Sequence, residues 1–124
     1  MKLRIRGNSV RLRLTRSEVD IFSTAGKVEE TVDFGDGGSK FTYALEASDV
    51  PNVSAEFSGG TIRVFVPQEQ ARNWVGSEQV GVESVEGSRL RVLVEKDFAC
   101  LQERPGETNE DAFPNPEPAN CHAA

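Results

Sequence analysis

The feature that most constrains the fold is the strict alternation of apolar and charged residues near the start of the chain. Leu3-Arg4-Ile5-Arg6 and Val10-Arg11-Leu12-Arg13-Leu14 both alternate with a period of two. This period is typical of β-strands with one dry face and one wet face. Gly7-Asn8 stands between them, and both residue types tolerate the positive φ of a tight turn. The pattern therefore predicts a β-hairpin that carries arginines on its wet face.

A short helix and a second hairpin are predicted next. Thr15-Arg16-Ser17-Glu18 has the spacing of a helix-capping box. The helix that it begins is expected to end at Gly26, since glycine favours the end of a helix. Residues 27–34 and 41–45 read as two strands joined by the glycine-rich turn 35–38.

The same order of elements recurs about fifty residues later. At an offset of 52, Gly7-Asn8 falls on Gly59-Gly60, and the apolar positions of the second strand fall on Ile62, Val64 and Val66. At an offset of 49, the strand 41–45 falls on residues 90–94. Pro67 and Gly76 bracket a second short helix. We interpret the pattern as an internal duplication, and chance similarity between hairpins is the alternative.

These elements predict a mainly β fold of the α+β class. One half has too little apolar surface to be stable alone, so both halves are expected to share one core. We expect a single β-rich domain over residues 1–97, with pseudo-repeats 1–46 and 53–97. It would have about eight antiparallel strands in a closed or nearly closed, barrel-like sheet, together with two short helices.

The composition changes after residue 97. Four of the six prolines lie in residues 98–124, and neither strand nor helix periodicity continues there. A disordered end and a strap packed on the body are the alternatives. Phe98, Leu101 and Phe113 are apolar anchors that a disordered end does not need, so we favour a strap.

Size and charge exclude several classes of protein. A chain of 124 residues has room for one domain, and its net charge of −6 is unlike that of a general nucleic-acid binder. There is no run of 18 apolar residues for a membrane helix and no stretch resembling a secretory signal. We expect a cytoplasmic protein with reduced thiols.

Charge is unevenly distributed along the chain. Residues 1–17 hold six basic side chains and no acid, whereas residues 95–124 hold seven acids and two bases. One interpretation is an anion-binding face formed by Arg4, Arg6, Arg11, Arg13 and Arg63. The alternative is that the acidic tail, or acids on neighbouring strands, neutralises these arginines; Glu29, Glu30 and Glu46 are the strand candidates.

A metal site is a second candidate. Cys100, Cys121 and His122 offer two thiolates and one imidazole, which suit Zn²⁺. Three such ligands leave the fourth position to a carboxylate, water or a second chain. Cys100 is equally suited to be a small apolar residue beneath the strap. No cofactor is the default expectation, with zinc as the alternative.

Both ends of the sequence resemble a family of short, uncharacterised bacterial proteins. The start, Met1-Lys2-Leu3-Arg4-Ile5-Arg6-Gly7-Asn8-Ser9 followed by Val10-Arg11-Leu12-Arg13-Leu14, carries the first motif. Glu95-Lys96-Asp97-Phe98-Ala99-Cys100-Leu101 and Asp111-Ala112-Phe113-Pro114-Asn115-Pro116 carry the closing motifs. The resemblance implies a bacterial, stand-alone, cytoplasmic protein whose tail belongs to the domain. It implies no activity.

The arginine-lined strands also resemble the triphosphate-tunnel phosphatases, whose barrel interior grips a polyphosphate beside acidic metal ligands. That family opens with paired glutamates, and here Lys2 and Arg4 occupy their place. We therefore expect a non-catalytic binding or accessory domain rather than an enzyme. The alternative is a phosphate-binding or phosphate-hydrolysing protein of the tunnel type. The partner is unknown, and a homo-oligomer remains open.

Overall fold

A computed structural model of the chain describes residues 1–98. It contains eight β-strands and two α-helices, which confirms the predicted mainly β fold with two short helices. The strands are β1 (Lys2–Arg6), β2 (Ser9–Leu14), β3 (Lys27–Asp33), β4 (Lys40–Ser48), β5 (Ser54–Ser58), β6 (Thr61–Pro67), β7 (Gly81–Glu83) and β8 (Arg91–Lys96). The helices are α1 (Arg16–Ala25) and α2 (Gln68–Val75). A single 3₁₀ turn, Asp36–Gly38, lies in the β3–β4 loop.

The strands form two open sheets of four, so the predicted barrel-like antiparallel sheet is wrong in two respects. Sheet 1 has the order β1-β2-β8-β7, and sheet 2 has the order β3-β4-β6-β5. Each hairpin is antiparallel, but the central pairs β2–β8 and β4–β6 are parallel. The reason lies in the connections, because each helix carries the chain from one sheet to the other. Each sheet therefore receives one hairpin from each half of the sequence.

The two sheets repeat the same pairing register. In sheet 1, Ser9 pairs with Arg91 across the parallel junction. At the offset of 52, Ser9 corresponds to Thr61, and at the offset of 49, Arg91 corresponds to Thr42. Thr42 and Thr61 are likewise partners in the parallel pair β4–β6 of sheet 2. The offsets read from the sequence thus relate equivalent pairing positions of the two sheets.

Helix α1 begins and ends where its sequence predicts. The Thr15 hydroxyl oxygen accepts a hydrogen bond from the Glu18 backbone N–H, and the Glu18 carboxylate accepts one from the Thr15 backbone N–H at 2.8 Å. This is the reciprocal pair of a capping box. Gly26 ends the helix in the left-handed region at φ 74°. Helix α2 follows Pro67 directly and has no side-chain cap.

The core lies between the inner faces of the sheets and the two helices. Both sheets contribute alternate apolar residues to it, including Leu12, Leu45 and Val64, all fully buried. Phe22 of α1 and Trp74 of α2 meet edge to face with ring centroids 6.0 Å apart. Because the inner residues alternate with outer ones, the first hairpin must direct its arginines to the outside of sheet 1.

Candidate functional site

One face of sheet 1 collects most of the basic residues of the first hairpin. The registers of β1, β2 and β8 place six basic side chains on its outer face: Lys2, Arg4, Arg6, Arg11, Arg13 and Arg91. We call this surface the arginine face. The strands contribute only two acids to the same face, Glu83 and Glu95. Four of the five predicted anion-binding arginines therefore lie together.

Lys2 and Arg91 were not among the predicted site residues. Lys2 belongs to the same alternating run as Arg4, so its place could be predicted from the period alone. Arg91 also alternates with apolar neighbours, but it reaches the face only because β8 pairs with β2. The sequence period places a residue on a face of its own strand, and it does not say which strand will be the neighbour.

Glu95 neutralises one end of the arginine face. Its Oε1 atom lies 2.8 Å from Arg13 Nη2 and accepts a hydrogen bond from Arg13 Nε at 2.9 Å. Arg13 is only 7% exposed, so this carboxylate compensates a buried guanidinium. Arg11 Nε is 3.8 Å from the same oxygen. Lys2 pairs with Asp97 at 3.6 Å.

The other end of the face holds basic side chains in excess. Arg4 and Arg11 are direct cross-strand partners, and Arg6 follows on the same face of β1. Arg4 and Arg6 are exposed and form no ion pair with any residue in 1–98. Like charges placed opposite each other on adjacent strands disfavour the pairing. An anion bound between them would remove that repulsion.

A small recess lies beside this excess of charge. It measures about 60 Å³ and lies between β2 and β8, with Ser9, Arg11, Arg91 and Leu93 among its lining residues. The Ser9 hydroxyl already donates to the Arg6 carbonyl oxygen at 3.0 Å, so the guanidinium groups of Arg11 and Arg91 are the donors that this recess offers to an oxyanion. Arg91 also pairs with Glu83 at 3.8 Å, but both side chains are largely exposed, so solvent screens that contact.

Arg63 lies on the other sheet and does not join the arginine face. Its Nε is 3.5 Å from Glu46 Oε2, and its Nη1 is 3.8 Å from Glu56 Oε1. The structure therefore places Arg63 apart from the other four predicted arginines. Arg63 is the residue equivalent to Arg11 in the second half of the sequence. The hairpin that carries it, β5–β6, belongs to sheet 2 rather than sheet 1.

The strand acids considered as counter-charges for the first hairpin also lie on sheet 2. Glu46 pairs with Arg63, and Glu29 pairs with Lys27 at 3.4 Å. Glu30 lies on the inner side of sheet 2 with Tyr43, its register partner. Within residues 1–98 none of these three acids pairs with the arginine face; the acids that do are Glu83, Glu95 and Asp97.

A second polar cluster surrounds the Met1 ammonium group between the sheets. The ammonium donates to Glu18 Oε2 and lies 2.6 Å from Glu30 Oε1. The Tyr43 hydroxyl lies 2.8 Å from Glu30 Oε2 and 3.0 Å from the Met1 carbonyl oxygen. The ammonium is fully buried and has two carboxylate partners.

This cluster shifts three pKa values. Burial alone would lower the pKa of the Met1 ammonium, but the two carboxylates outweigh burial and raise it. Burial would raise the pKa of Glu18, yet the ammonium and the Thr15 hydrogen bonds lower it to about 2. Burial and the neighbouring Glu30 carboxylate raise the pKa of Tyr43 to about 12. All three groups keep their ordinary protonation states at neutral pH.

A larger recess lies beside the two helices, at the C-terminal part of α1 and along α2. It measures about 660 Å³ and is lined by Phe22, Ala71, Lys27, Arg72 and Glu46, among others. Glu46 Oε2 is buried and accepts no hydrogen bond among the described residues. The lining combines two cations, a carboxylate and helix carbonyl ends. It contains none of the predicted anion-binding residues.

An apolar strip is exposed at the hairpin end of sheet 2. Phe41 contacts Phe57 and Tyr43, with ring centroids 6.5 Å and 6.3 Å apart. Phe57 is 68% exposed, and Val32, the register partner of Phe41, is 42% exposed. Exposed apolar patches mark interaction surfaces. The sequence analysis did not single out this strip, because exposure depends on where the opposite sheet ends.

The predicted metal ligands Cys100, Cys121 and His122 lie outside the described residues. Within residues 1–98, no group of three or more His, Cys, Asp or Glu side chains could hold a metal ion. Across the same residues, neither helix has the length and apolar character needed to cross a membrane.

Comparison with known proteins gives the class of this chain. The model of a protein family described as a family of unknown function, DUF7009, matches residues 1–117. The chain belongs to this family, which confirms the expected membership of an uncharacterised domain family. No curated protein matches the sequence, and no solved structure matches the fold.

Proposed function

We propose that this chain is a non-catalytic binding domain that takes an anionic partner on the arginine face of sheet 1. The observation that carries the proposal is the Arg4–Arg11 pair, in which two arginines oppose each other across β1 and β2. Arg6 adds a third guanidinium, and neither Arg4 nor Arg6 has an ion-pair partner in residues 1–98. Arginine binds carboxylates and phosphates through paired hydrogen bonds.

The shape of the surface favours binding over catalysis. The arginine face is the outside of an open four-stranded sheet, whereas groups with shifted pKa values, Glu18 and Tyr43, lie between the sheets. A tunnel enzyme needs arginines and carboxylates that converge in one enclosed site. Arg63 is on the other sheet, so the tunnel-type alternative has no support from the described residues.

The remaining expectations are retained as proposals. The equal pairing registers of the two sheets support a duplicated origin for the halves. The resemblance of the terminal motifs supports a bacterial, cytoplasmic protein. We also retain one β-rich domain over residues 1–97 with a strap over 98–124.

A titration of the full chain tests the proposed function. Hexaglutamate and inorganic tripolyphosphate are added separately to ¹⁵N-labelled protein at low ionic strength. We expect the amide signals of residues 4–6 and 9–11 to shift. In the double variant Arg4→Glu/Arg6→Glu, binding should weaken by about tenfold or more, because charge-assisted hydrogen bonds are lost. The two probes distinguish a carboxylate ligand from a phosphate ligand.

Lys40→Glu with Lys27→Glu is the matched control, since it changes the net charge equally on sheet 2. This variant should bind the probes as the parent chain does. Equal weakening in both variants would contradict a specific site, because binding would then follow net charge alone. Absence of binding to the parent chain would also contradict it.

A further inference from the structure

We infer that the anionic partner of the arginine face is an extended peptide with acidic residues at alternate positions, which adds to sheet 1 as a new strand beside β1. This inference rests on the proposed function, because it names the partner class of that same site. It goes further in requiring the backbone of β1 as well as its arginines. Strand addition at a free sheet edge is a recurring way in which proteins bind extended peptides.

Hydrogen bonds at both ends of the β2–β8 pair show which way the backbone groups of β2 point. The Arg91 N–H donates to the Asn8 carbonyl oxygen at 3.1 Å, and the Asp97 N–H donates to the Leu14 carbonyl oxygen at 2.8 Å. Successive residues of a strand direct these groups to opposite neighbours. The even-numbered residues from Asn8 to Leu14 therefore bond to β8, and the odd-numbered residues between them bond to β1.

The same alternation leaves two residues of β1 facing away from β2. The odd-numbered residues of β2 have Lys2, Arg4 and Arg6 as their register partners. The N–H and C=O groups of Leu3 and Ile5 therefore point to the open edge of sheet 1. Strand β1 is an edge strand, and these groups have no backbone partner within residues 1–98. Each of the two residues thus offers a donor and an acceptor to an added strand.

An antiparallel strand at this edge brings its side chains next to the basic ones. Its residues opposite Leu3 and Ile5 exchange hydrogen bonds with them, and the residues in between form the non-hydrogen-bonded pairs. Side chains approach most closely in such pairs, where the Cα atoms are about 4.5 Å apart. Acidic residues at alternate positions of the peptide therefore stand opposite Lys2, Arg4 and Arg6 on the arginine face.

The other side of the added strand meets apolar side chains. Leu3 and Ile5 point to the inner side of sheet 1, where Leu3 packs against the core but Ile5 is 57% exposed. An apolar peptide residue opposite Ile5 removes surface of both side chains from water, which stabilises the complex. The edge therefore fits a peptide that alternates acidic with apolar residues, which complements the alternation of β1 itself.

Charge distinguishes β1 from the other edge strands. The described sheets have four edge strands, β1, β7, β3 and β5. Among these four, β1 alone contains no acid. A second copy of β1 is a poor partner, because antiparallel pairing would place Arg4 opposite Arg4 or Lys2 opposite Arg6. The basic side chains thus prevent self-pairing and favour a strand of opposite charge.

Two peptides of equal composition test the strand addition. Capped Glu-Val-Glu-Val-Glu and capped Glu-Glu-Glu-Val-Val are titrated separately into the ¹⁵N-labelled full chain, with inorganic tripolyphosphate as the reference anion. We expect the alternating peptide to bind about fivefold or more tightly than the other, and to slow hydrogen exchange of the Leu3 and Ile5 amides.

The failure of this inference is distinguishable from failure of the proposed function. Equal peptide affinities, or unchanged exchange at Leu3 and Ile5, with tripolyphosphate still bound would overturn strand addition and leave the anion-binding face intact. Absence of binding by all three probes would overturn the proposed function as well.

Backbone methylation of the alternating peptide separates strand pairing from charge. Methylating both valine nitrogens blocks the hydrogen bonds to Leu3 and Ile5, so it should weaken binding by about fivefold or more. Methylating two glutamate nitrogens, which point away from β1 in the added strand, is the matched control and should weaken binding far less. Equal weakening by the two modifications would overturn the pairing.

A proline variant gives the reciprocal test on the protein. Ile5→Pro removes an N–H that points outward, so it costs no hydrogen bond to β2. The alternating peptide should lose its advantage in this variant, whereas tripolyphosphate binding stays. Thr31→Pro is the control on sheet 2: the Phe34 N–H donates to the Ser39 carbonyl oxygen, so the N–H of Thr31 also faces away from its neighbour β4. An advantage that persists in Ile5→Pro, or that disappears equally in Thr31→Pro, would overturn the inference.

Discussion

The outer faces of the two sheets occupy equivalent positions but differ in charge. Sheet 1 presents six basic and two acidic side chains, whereas sheet 2 presents three basic and four acidic ones. The sharpest difference lies beside the equivalent residues Arg11 and Arg63. Arg63 faces Glu56 across the hairpin, and Arg11 faces Arg4. One scaffold therefore carries a neutralised arginine on one side and an arginine with excess positive charge on the other.

This comparison distinguishes the residues that stabilise the fold from those that create the proposed binding site. The parallel junctions, inner apolar positions and carboxylates Glu46 and Glu95 are equivalent in both sheets. The residue opposite the central arginine differs. Folding requires apolar inner faces and tolerates either charge outside, because solvent screens exposed ion pairs.

The largest expected effect is on the shared core. Leu14 and Val66 are equivalent at the offset of 52, and both are fully buried. Leu14→Ala should lower the free energy of unfolding by about 3 kcal/mol and Val66→Ala by about 2 kcal/mol, because each leaves a cavity. Chemical denaturation measures both. A large loss at one position with none at the other would contradict a core shared by the two sheets.

The next effect compares the two equivalent arginines in anion binding. Arg11→Ala should weaken hexaglutamate binding by about thirtyfold, which corresponds to about 2 kcal/mol. Arg63→Ala should leave that affinity unchanged, because Arg63 lies on sheet 2 between two carboxylates. Calorimetric titration of both variants makes the comparison. Similar losses in the two would mean that the arginine face is not the site.

The Met1 cluster predicts that the stability of the fold depends on pH. The pKa of Glu18 is lowered to about 2, so its stabilisation is complete above about pH 4.5 and lost as pH falls toward 2. The raised pKa of the Met1 ammonium gives stabilisation that is present below pH 8.0 and lost as pH rises through the folded value. Glu18→Gln should lower the free energy of unfolding by about 2 kcal/mol at neutral pH. It should also reduce the loss of stability at both the acidic and the alkaline end of the pH profile.

Gln70, equivalent to Glu18 and exposed on α2, supplies the control. Gln70→Glu should change the stability by less than about 0.5 kcal/mol, because no ammonium lies beside it. Thermal unfolding of both variants between pH 2 and 10 checks the difference. Equal pH profiles for parent and Glu18→Gln would show that the ammonium contacts contribute nothing to stability.

The smallest effect concerns the helix caps. Thr15→Ala should reduce the stability by about 1 kcal/mol, because it removes the side-chain cap of α1. Thr15→Ser keeps the hydroxyl and should stay close to the parent chain. Helix α2 has no such cap, so α1 alone depends on this contact. Hydrogen exchange of the α1 amides would show the effect locally, and unchanged exchange would contradict it.

Local patterns in the sequence predicted the elements well and their assembly poorly. Alternation at Leu3–Leu14 and the capping box at Thr15 depend on neighbouring residues, and both are confirmed. The pairing of β2 with β8 joins residues about eighty positions apart, and no local period encodes it. The same dependence on distant strand pairing explains which residues of the candidate site could be predicted from the sequence. Arg4, Arg6, Arg11 and Arg13 were predicted together because they share one hairpin, whereas the separation of Arg63 from them and the approach of Arg91 depend on how distant strands pair.

The most direct test of the central claim exchanges the two residues that distinguish the outer faces. Arg4→Glu gives sheet 1 the acid that sheet 2 has at the equivalent position, and Glu56→Arg gives sheet 2 the missing arginine. Hexaglutamate is titrated into the double variant while backbone amide signals are followed. We predict that the shifts leave residues 4–11 and appear at residues 56–63. Shifts that remain on sheet 1, or that occur on neither sheet, would contradict the claim that this cross-strand arginine pair creates the site.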